Sequence, residues 1–358
     1  MVNTNKQMVL VTGGSGFVAG HCILQLLQKG YHVKTTIRSI SKKDKVLDAL
    51  KNNGVTNLED ITFIEADLTN DKNWDEAAMD CTYVLHVASP IFLRLPKDEN
   101  EMIRPAVDGT LRVLKAARNA GVKRVVMTSN FGAVGYSHKD QHTPITEKDW
   151  TNPEEKGLSS YNKSKVLAEQ AGWDFIKREG GDLELSVINP VAIFGPALSA
   201  DMSSGFELLK NIVDGSMKAM PNLQFNIIDV RDVADLHIRA MTSPAAKGQR
   251  FLALAGGKMS MPEIASLIKS EMPEIAGKVP SKVLPDWGVR VAALFNARAK
   301  NIASMLKASR NVSNEKARTV LGWEPMANNE EATLASLRSM VKFGNITPHP
   351  NPSPGERG

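Results

Sequence analysis

Short apolar runs alternate with segments of helical periodicity through the first half of the chain. The runs "MVLVTG", "YHVKTTIR" and "ITFIEADL" are rich in strand-forming residues, and "YVLHVAS", "VKRVVMTS" and "LELSVINP" follow the same pattern. Helical spacing of apolar positions, as in "HCILQLLQKG" and "TLRVLKAARNAG", lies between these runs. Alternation of strand and helix predicts an α/β fold, a Rossmann-type doubly wound parallel sheet.

The pattern becomes less regular after about Pro190. "FNIIDVRDVADLHIRAM" predicts a strand and a helix, "RFLALAG" predicts a strand, and "SMPEIASLIKSEM" and "NEKARTVLGW" predict helices. Mixed segments of this kind suit a smaller domain that interrupts the main one. We therefore predict a Rossmann domain at 1–190 and about 225–258, a smaller C-terminal domain at about 191–224 and 259–345, and a disordered tail at 346–358, where Pro and Gly are frequent.

A glycine-rich turn follows the first predicted strand and opens the first predicted helix. It reads "LVTGGSGFVAG" and contains Gly14-x-Gly16-x-x-Ala19 as well as Gly13-x-x-Gly16. Glycines permit a tight turn and close approach of the backbone to a pyrophosphate, and the helix N-terminus offers unpaired N–H groups. Three glycines in four residues would be costly for a turn alone. The turn therefore predicts a dinucleotide site.

The end of the second predicted strand favours NADP(H) over NAD(H). NAD-binding units usually place Asp or Glu there to hold the ribose 2′-hydroxyl. This chain has Arg38, followed by Lys42, Lys43 and Lys45. A guanidinium pairs with a 2′-phosphate, whereas a carboxylate would repel it; the alternative is a solvated basic loop. Asp67, after the third predicted strand, is expected near the adenine or as the cap of the next turn.

A tyrosine and a lysine share one face of the predicted helix "SSYNKSKVLAEQAGWDFIKREGG". Tyr161 and Lys165 lie at positions i and i+4. A free phenol has a pKa of about 10, and a nearby ammonium is expected to lower it by stabilising the phenolate. By itself this pair occurs by chance, and a surface tyrosine on a lysine stem is the alternative. After a dinucleotide turn, it indicates a proton donor and a residue that holds it in place.

Composition and charge exclude several other classes of protein. The net charge of +5 is scattered, without the basic stripe and interleaved aromatics of a nucleic-acid-binding protein. The two cysteines, Cys22 and Cys81, have no metal-ligand spacing and do not make a disulfide framework. The residues "MVNTNKQ" before the first predicted strand lack the apolar core and cleavage site expected of a signal peptide, and no apolar run is long enough to span a membrane. We expect a cytoplasmic monomer or homodimer without a metal site.

The chain resembles an extended short-chain dehydrogenase/reductase of the dihydroflavonol-4-reductase-like group. That group includes plant flavonoid reductases, cinnamoyl-CoA reductases and microbial NADPH-dependent aldehyde and ketone reductases. The matching stretches include "VTGGSGFVAGH", "TIRSISKKDK", "VLHVASP", "YNKSK", "INPVAIFGP" and "DVRDVADLHIRAM", and they cover most of residues 8–330. The resemblance implies a Rossmann-type NADP-binding domain, a smaller substrate domain, and reversible reduction of an aldehyde or ketone by NADPH.

The family's roles pass to matching residues of this chain. Tyr161 would give its proton to the carbonyl oxygen, Lys165 would hold the cofactor ribose, and Arg38 would meet the 2′-phosphate. His86 would lie along the cofactor or serve as a structural histidine. The complete set of expected cofactor contacts is Gly13, Gly16, Phe17, Val18, Arg38, Lys45, Asp67, Leu68, Ala88, Ser89, Thr128, Tyr161, Lys165, Pro190 and Val191.

The third catalytic position departs from the family pattern. The family has a serine at the end of the strand "VVMTS", and the alignment places Asn130 there. Side chains alternate along a strand, so Thr128 and Asn130 are expected on one face and Ser129 on the other. The Asn130 amide can donate a hydrogen bond to a carbonyl oxygen but cannot relay a proton as a hydroxyl does. Our hypothesis is that Asn130 polarises the carbonyl; the alternative is that it only fixes the loop.

Four apolar residues are candidate walls of the substrate pocket, with ordinary core packing as the alternative. An apolar pocket would suit an aromatic or branched carbonyl compound better than a nucleotide sugar. Two other functions stay open at this point: an NAD-dependent nucleotide-sugar epimerase or dehydratase, which Arg38 disfavours, and a non-catalytic cofactor sensor, which the Tyr161–Lys165 pair disfavours. The candidate pocket walls are Phe92, Phe131, Met202 and Phe206.

Overall fold

The computed structural model describes residues 7–90, 98–201, 205–295 and 311–348, together with positions 299, 302, 303, 305 and 306. Each predicted apolar run contains a strand, and several short strands that the sequence pattern did not predict are also present. In chain order they are β1 (Met8–Val11), β2 (His32–Ile37), β3 (Ile61–Glu65), β4 (Tyr83–His86), β5 (Arg124–Thr128), β6 (Glu184–Pro190), β7 (Ala192–Phe194), β8 (Met220–Pro221), β9 (Gln224–Phe225), β10 (Ile227–Asp229), β11 (Arg250–Ala253), β12 (Met259–Ser260) and β13 (Val283–Leu284).

The α-helices lie between these strands, as the alternating pattern predicts. No helix within the described ranges is long and apolar enough to cross a membrane. In chain order they are α1 (Phe17–Gln28), α2 (Lys43–Asn52), α3 (Trp74–Ala78), α4 (Asn100–Asn119), α5 (Ser160–Glu179), α6 (Phe206–Val213), α7 (Val230–Thr242), α8 (Met261–Glu271), α9 (Asp286–Ala292), α10 (Glu315–Leu321) and α11 (Asn329–Lys342).

The central sheet has seven parallel strands in the order β3-β2-β1-β4-β5-β6-β11. The predicted Rossmann-type doubly wound sheet is therefore confirmed. The strand order reverses between β1 and β4. On one side of this pair the sheet continues with β2 and β3, and on the other side it continues with β5, β6 and β11. In open α/β sheets, ligands bind in the crevice at the carboxyl ends of the strands at such a reversal.

Both faces of the sheet are buried, as expected for parallel strands. Val9 and Val11 of β1 point to one face and pack with residues of α1 and α7. Leu10, between them, points to the other face and packs with residues of α4 and α5. The period of two along β1 thus divides the core into two layers with the sheet between them.

A separate hydrophobic cluster includes Phe194, Ile227 and buried residues of α6, α8 and α11. The small β7–β10, β8–β13 and β9–β12 pairs border it. Ile346, which we assigned to the disordered tail, is buried in this cluster, so the ordered chain extends at least one residue further. Residues 349–358 of that tail lie outside the described residues. The domain boundaries near 190, 225 and 258 stay a prediction.

Arg124 joins the first residue of β5 to two neighbouring elements. Its side chain is 2% exposed and donates to the Glu184 carboxylate of β6 at 2.9 and 2.5 Å. It also donates to the carbonyl oxygens of Ala240 at 2.8 Å and Ser243 at 2.5 Å, at the end of α7. Helix carbonyls in the last turn lack intrahelical partners, so Arg124 supplies donors that the backbone cannot.

We predict that Arg124→Met lowers the free energy of unfolding by about 3 kcal/mol, because it leaves Glu184 and several carbonyls without their buried donor. Urea unfolding followed by circular dichroism measures this change. Arg318→Met is the control: Arg318 pairs with Glu324 at 2.8 Å on the surface, and exposed pairs contribute little. Equal unfolding midpoints for the two variants would contradict the structural role of Arg124.

Candidate active site

The candidate site lies at the carboxyl edge of β1, β4, β5 and β6. Each of these strands is followed by residues that the sequence marked as candidates: the glycine turn after β1, "VAS" after β4, Ser129 and Asn130 after β5, and Val191 after β6. Because parallel strands end at the same edge of a sheet, these loops converge. The topology therefore brings together residues that are up to about 180 positions apart in the sequence.

The glycine turn leads into α1, whose first N–H groups have no intrahelical partner. Gly13 has a φ of +76°, and a Cβ there would lie 3.0 Å from the Ala88 Cβ, so a side chain would both strain the turn and crowd the loop after β4. Gly16 is the N-cap of α1 and supplies no side-chain hydrogen bond, and the first turn contains no acidic residue. An uncapped helix N-terminus with a positive dipole end fits a pyrophosphate. Phe17 and Val18 are its first two residues.

A cavity of about 140 Å³ borders this turn, and we call it the loop cavity. Lys42 and Lys45 contribute its two cationic side chains among the lining residues. Lys45 was a predicted cofactor contact, whereas Lys42 was noted only as part of a basic group. The lining residues are Gly14, Ser15, Gly16, Phe17, Gly20, Lys42, Lys45, Val46, Ala49, Leu50, Leu198, Ser199 and Asp201.

Arg38 and Asp67 lie together after β2 and β3. Arg38 is exposed, and its charge helps to lower the pKa of Asp67. The largest cause of that lowering is the hydrogen bond from the Thr69 hydroxyl, at 2.7 Å, beside one from the Thr69 backbone N–H at 2.8 Å. Asp67 thus caps the turn that follows, the alternative that the sequence left open, while its neighbour Arg38 is free to face an anion from solvent.

Thr12 fixes the loop after β4. Its hydroxyl oxygen accepts from the backbone N–H groups of Val87 at 3.0 Å and Ala88 at 2.9 Å. Its own proton is therefore available to His86 Nδ1 at 3.0 Å, which assigns the remaining ring proton to Nε2. Burial, followed by the charge of Lys165, lowers the pKa of His86 to about 3. His86 is thus a neutral histidine that holds this loop and also borders the site.

A smaller cavity of about 20 Å³ contains Lys165, and we call it the Lys165 cavity. It brings together the predicted cofactor contacts Leu68, Ala88, Ser89 and Thr128. Ser129 also lines it, and the Ser129 hydroxyl is buried without a hydrogen-bond partner in the described chain. The lining residues are Leu68, His86, Ala88, Ser89, Pro90, Ala106, Thr110, Met127, Thr128, Ser129, Lys165 and Ala168.

Thr128 and Asn130 serve different partners, although strand alternation placed them on one face. β5 ends at Thr128, whose hydroxyl lies 2.7 Å from His237 Nε2 on α7. Asn130 reaches α5 instead, where its Nδ2 donates to Asn162 Oδ1 at 3.5 Å. The alternation argument also placed Ser129 away from the site, yet Ser129 lines the Lys165 cavity. Because β5 ends at Thr128, strand alternation does not assign the next two side chains.

Asn130 and Tyr161 form the central contact of the candidate site. Burial raises the pKa of Tyr161, and a hydrogen bond from the Asn130 side chain opposes that rise. Our expectation that Lys165 lowers this pKa is wrong, because the charge of Lys165 is not among the causes of the shift and burial is the largest of them. The phenol is therefore protonated at neutral pH, the form that a proton donor needs. Although surrounding protein atoms raise this pKa, 47% of the Tyr161 surface is exposed, so a small molecule can reach the residue.

Sequence reasoning missed Asn162 and Gly132, which fix this contact. Asn162 directly follows Tyr161, and Ser159 caps the helix by accepting from the Asn162 N–H at 3.2 Å. A Cβ on Gly132 would lie 2.3 Å from Asn162 Oδ1 and 2.9 Å from Asn130 Oδ1. Only glycine leaves room for both amides. The glycine two residues after Asn130 was the one signal for this packing.

Lys165 is buried one helical turn after Tyr161. Its exposed fraction is 8%, and burial lowers the pKa of its ammonium to about 8, while Glu169 raises it. A charged lysine in this position needs anionic or hydrogen-bonding partners. The Lys165 cavity gives it access to a ligand. Tyr161 does not line this cavity, so the shared site of Tyr161 and Lys165 stays a prediction.

The other candidates fall into three groups. Pro190 is the last residue of β6, and the next N–H, of Val191, donates to Ala253 O at 3.2 Å, which fixes this edge of the site. Phe131 and Phe206 are buried in hydrophobic clusters and line neither described cavity, although Phe206 contacts the Phe17 ring at 5.1 Å between centroids. Phe92 and Met202 lie outside the described residues.

A family model and curated relatives match this chain over most of its length. The model of the 3-beta hydroxysteroid dehydrogenase/isomerase family matches residues 10–252. A putative NADPH-dependent methylglyoxal reductase of Candida albicans is 35% identical over 344 residues, which cover 90% of this chain and 95% of that protein. An anthocyanidin reductase of Vitis vinifera is 34% identical over 77% of this chain and 83% of its own length.

A solved structure has the same fold. The structure of Gre2 from Candida albicans in complex with NADPH superposes with a TM-score of 0.77 at 30% identity. The match covers 94% of this chain and 99% of that one. The two chains therefore share this fold over nearly their whole length.

Proposed function

The chain belongs to the 3-beta hydroxysteroid dehydrogenase/isomerase family, and from this premise we propose the roles of its site residues. The protein is an NADPH-dependent oxidoreductase that reduces an aldehyde or ketone to an alcohol, with the reverse reaction available by reversibility. Tyr161 supplies the proton. Its small-molecule substrate binds where Asn130 and Tyr161 meet. Cytoplasmic location and a monomeric or dimeric state stay predictions.

One observation supports these roles above the others: after β5, Asn130 meets the start of α5 at Asn162, the residue next to Tyr161, and its amide lowers the pKa of that phenol, while Lys165 is buried one turn further along α5. This arrangement gives a carbonyl oxygen two hydrogen-bond donors, the phenol and the amide. A donor aimed at developing negative charge stabilises the transition state, and a phenol in the same position completes the transfer by giving its proton.

The chain offers groups for each part of NADPH: basic residues after β2, the uncapped start of α1, and Lys165 in its cavity. Arg38, Lys42 and Lys45 would hold the 2′-phosphate, the start of α1 would hold the pyrophosphate, and Lys165 would hold the ribose beside the reacting carbonyl. When bound, NADPH supplies the hydride that reaches the carbonyl carbon. The protein's own residues orient the carbonyl, supply the proton at the Tyr161 oxygen and hold that phenol in place.

In this proposal, Lys165 must be an ammonium to donate hydrogen bonds to a ribose from both of its free N–H directions and to attract the cofactor's polar groups. Burial opposes that charge and lowers the pKa of Lys165 to about 8. The ammonium is therefore the main form at neutral pH and is lost as the pH rises above 8. The reduction is consequently expected to decline on the alkaline side, because the active form of the site is the protonated one.

We predict that the purified protein oxidises NADPH with aldehydes or ketones, and that Tyr161→Phe lowers kcat by about 100-fold or more because it removes the proton donor. A panel of small aliphatic, branched and aromatic carbonyl compounds, followed at the NADPH absorbance, measures both. Tyr136→Phe is the matched control, because it removes a phenol hydroxyl near Tyr161 to which the proposed mechanism assigns no role. Tight NADPH binding without turnover of any compound would contradict the reductase and favour a sensor.

We predict that Arg38→Gln weakens NADPH binding by about tenfold and leaves NADH binding nearly unchanged, because only NADPH carries the phosphate that the guanidinium pairs with. Titration of cofactor fluorescence gives both dissociation constants. Lys51→Gln on α2 is the control, because Lys51 is exposed and does not line the loop cavity. Equal losses for the two cofactors would contradict a phosphate contact at Arg38.

We predict that Asn130→Ala lowers kcat by about 10²-fold, the cost of an oxyanion-type donor, and that Ser129→Ala lowers it by less than about tenfold. Asn130→Ser, which restores the family residue, should retain most of the rate because a hydroxyl can also donate. Thermal unfolding of each variant controls for loss of structure. A larger loss of kcat in Ser129→Ala than in Asn130→Ala would assign the role to Ser129.

A further inference from the structure

Glu169 is a fully buried carboxylate close to the candidate site, and the proposed mechanism gives it no role. It lies on α5 one helical turn after Lys165 and has no exposed surface. Carboxylates are rarely buried completely unless they are paired, because removal from water penalises the charged form. Its position therefore calls for a physical reason.

Three donors hold this carboxylate. Arg250 Nε of β11 donates to Oε1 at 2.6 Å, and Trp173 Nε1, one turn further along α5, donates to the same oxygen at 3.3 Å. Asn189 Nδ2 of β6 donates to Oε2 at 2.8 Å. Glu169 accepts in all three contacts, which is the role of an ionised carboxylate. The group is thus held as an anion by α5, β6 and β11.

The same contacts extend to the loop that carries Asn130. Asn189 Nδ2 also donates to the backbone carbonyl of Asn130 at 3.3 Å. Arg250 donates to the carbonyl of Ala133 at 3.5 Å, at the end of the 3-10 turn after Asn130. Glu169 therefore links α5, which carries Tyr161 and Lys165, to the loop that carries Asn130. One link passes through Asn189 and the other through Arg250.

The Glu169 carboxylate has a second effect, which is electrostatic and acts on Lys165. The elements that line the Lys165 cavity are the loop after β3, β4 with its loop, α4, β5 and α5. Within the described lining, His86 on β4 is the titratable side chain besides Lys165, and it is neutral. On α5 the nearby groups are the neutral Tyr161 and the anionic Glu169, which raises the pKa of Lys165. Arg250 and Glu147 lie beyond Glu169.

We propose that Glu169 is a positioning residue of this reductase, whose buried carboxylate keeps Lys165 in its ammonium form and fixes the loop that carries Asn130. The inference rests on the proposed function, in which Lys165 holds the cofactor ribose. It assigns Glu169 no contact with substrate or cofactor. Its effect on the reaction passes through Lys165 by charge and through Asn189 by hydrogen bonding.

The test is the pH profile of Glu169→Gln. Loss of the anion removes the group that favours the ammonium, so the alkaline limb of kcat/KM is expected to move to lower pH by about one unit, a typical effect of one nearby charge. At pH 8, near the wild-type limb, this shift corresponds to about a fivefold loss of kcat/KM, with a much smaller loss at pH 6.

A second readout does not depend on turnover. NADPH fluorescence titrations between pH 6 and pH 9.5 give the dissociation constant of the wild type and of Glu169→Gln. The pH at which wild-type binding weakens should fall by the same one unit in the variant. If the wild type binds NADPH but reduces no carbonyl compound, the proposed function fails while this shift still tests Glu169.

Two further variants separate charge from structure. Trp173→Phe removes one hydrogen-bond donor to the Glu169 carboxylate without changing any charge. The alkaline limb of kcat/KM in this variant should therefore stay at the wild-type pH. The double variant Glu169→Gln/Arg250→Gln removes the carboxylate without leaving a buried, unpaired cation, so it replaces Glu169→Gln if the single variant does not fold. The alkaline limb of its kcat/KM profile should also move to lower pH. A limb at the wild-type pH in the folded Glu169 variant, with a loss of rate that is equal at all pH values, would overturn the proposal.

Discussion

Parallel pairing of β1 with β4 is the constraint on which the rest of the site depends. Val9–Val11 pair with Tyr83–Leu85 in register, and the strand order reverses at this pair. Parallel strands need crossover connections, so helices cover both faces, with α1 beside α7 on one and α4 beside α5 on the other. The N-terminus of α1 and the helix of Tyr161 and Lys165 therefore approach one crevice from opposite faces of the sheet.

Much of this arrangement can be predicted from the sequence because it depends on local patterns. A period of two in β1, a glycine turn before an apolar helix, and a tyrosine and lysine four residues apart each determine geometry over a few residues. The central sheet, the start of α1 and the placement of Tyr161 and Lys165 on one helix follow from such patterns. Topology then adds the convergence of the strand ends, since parallel sheets allow few alternatives.

The groups that tune the site could not be predicted in the same way. Glu169 and Arg250 are 81 residues apart and meet only because β11 pairs with β6 at the sheet edge. The end of β5 could not be predicted from the sequence either. Strand alternation gave a face for Ser129, but β5 ends one residue earlier, and the tight packing of Gly132 against Asn162 sets the direction of Asn130. Such details depend on tertiary packing, which overrides the local pattern.

Burial helps the role of Tyr161 in the reaction and hinders the role of Lys165. It favours the neutral form of both, so it raises the pKa of Tyr161 and lowers that of Lys165. For a proton donor the first effect is useful, because the phenol keeps its proton at neutral pH. For the lysine the second effect is harmful, because its role requires the ammonium. Only the lysine therefore needs an anion nearby, and a carboxylate four residues along the same helix is the shortest way for a sequence to provide one.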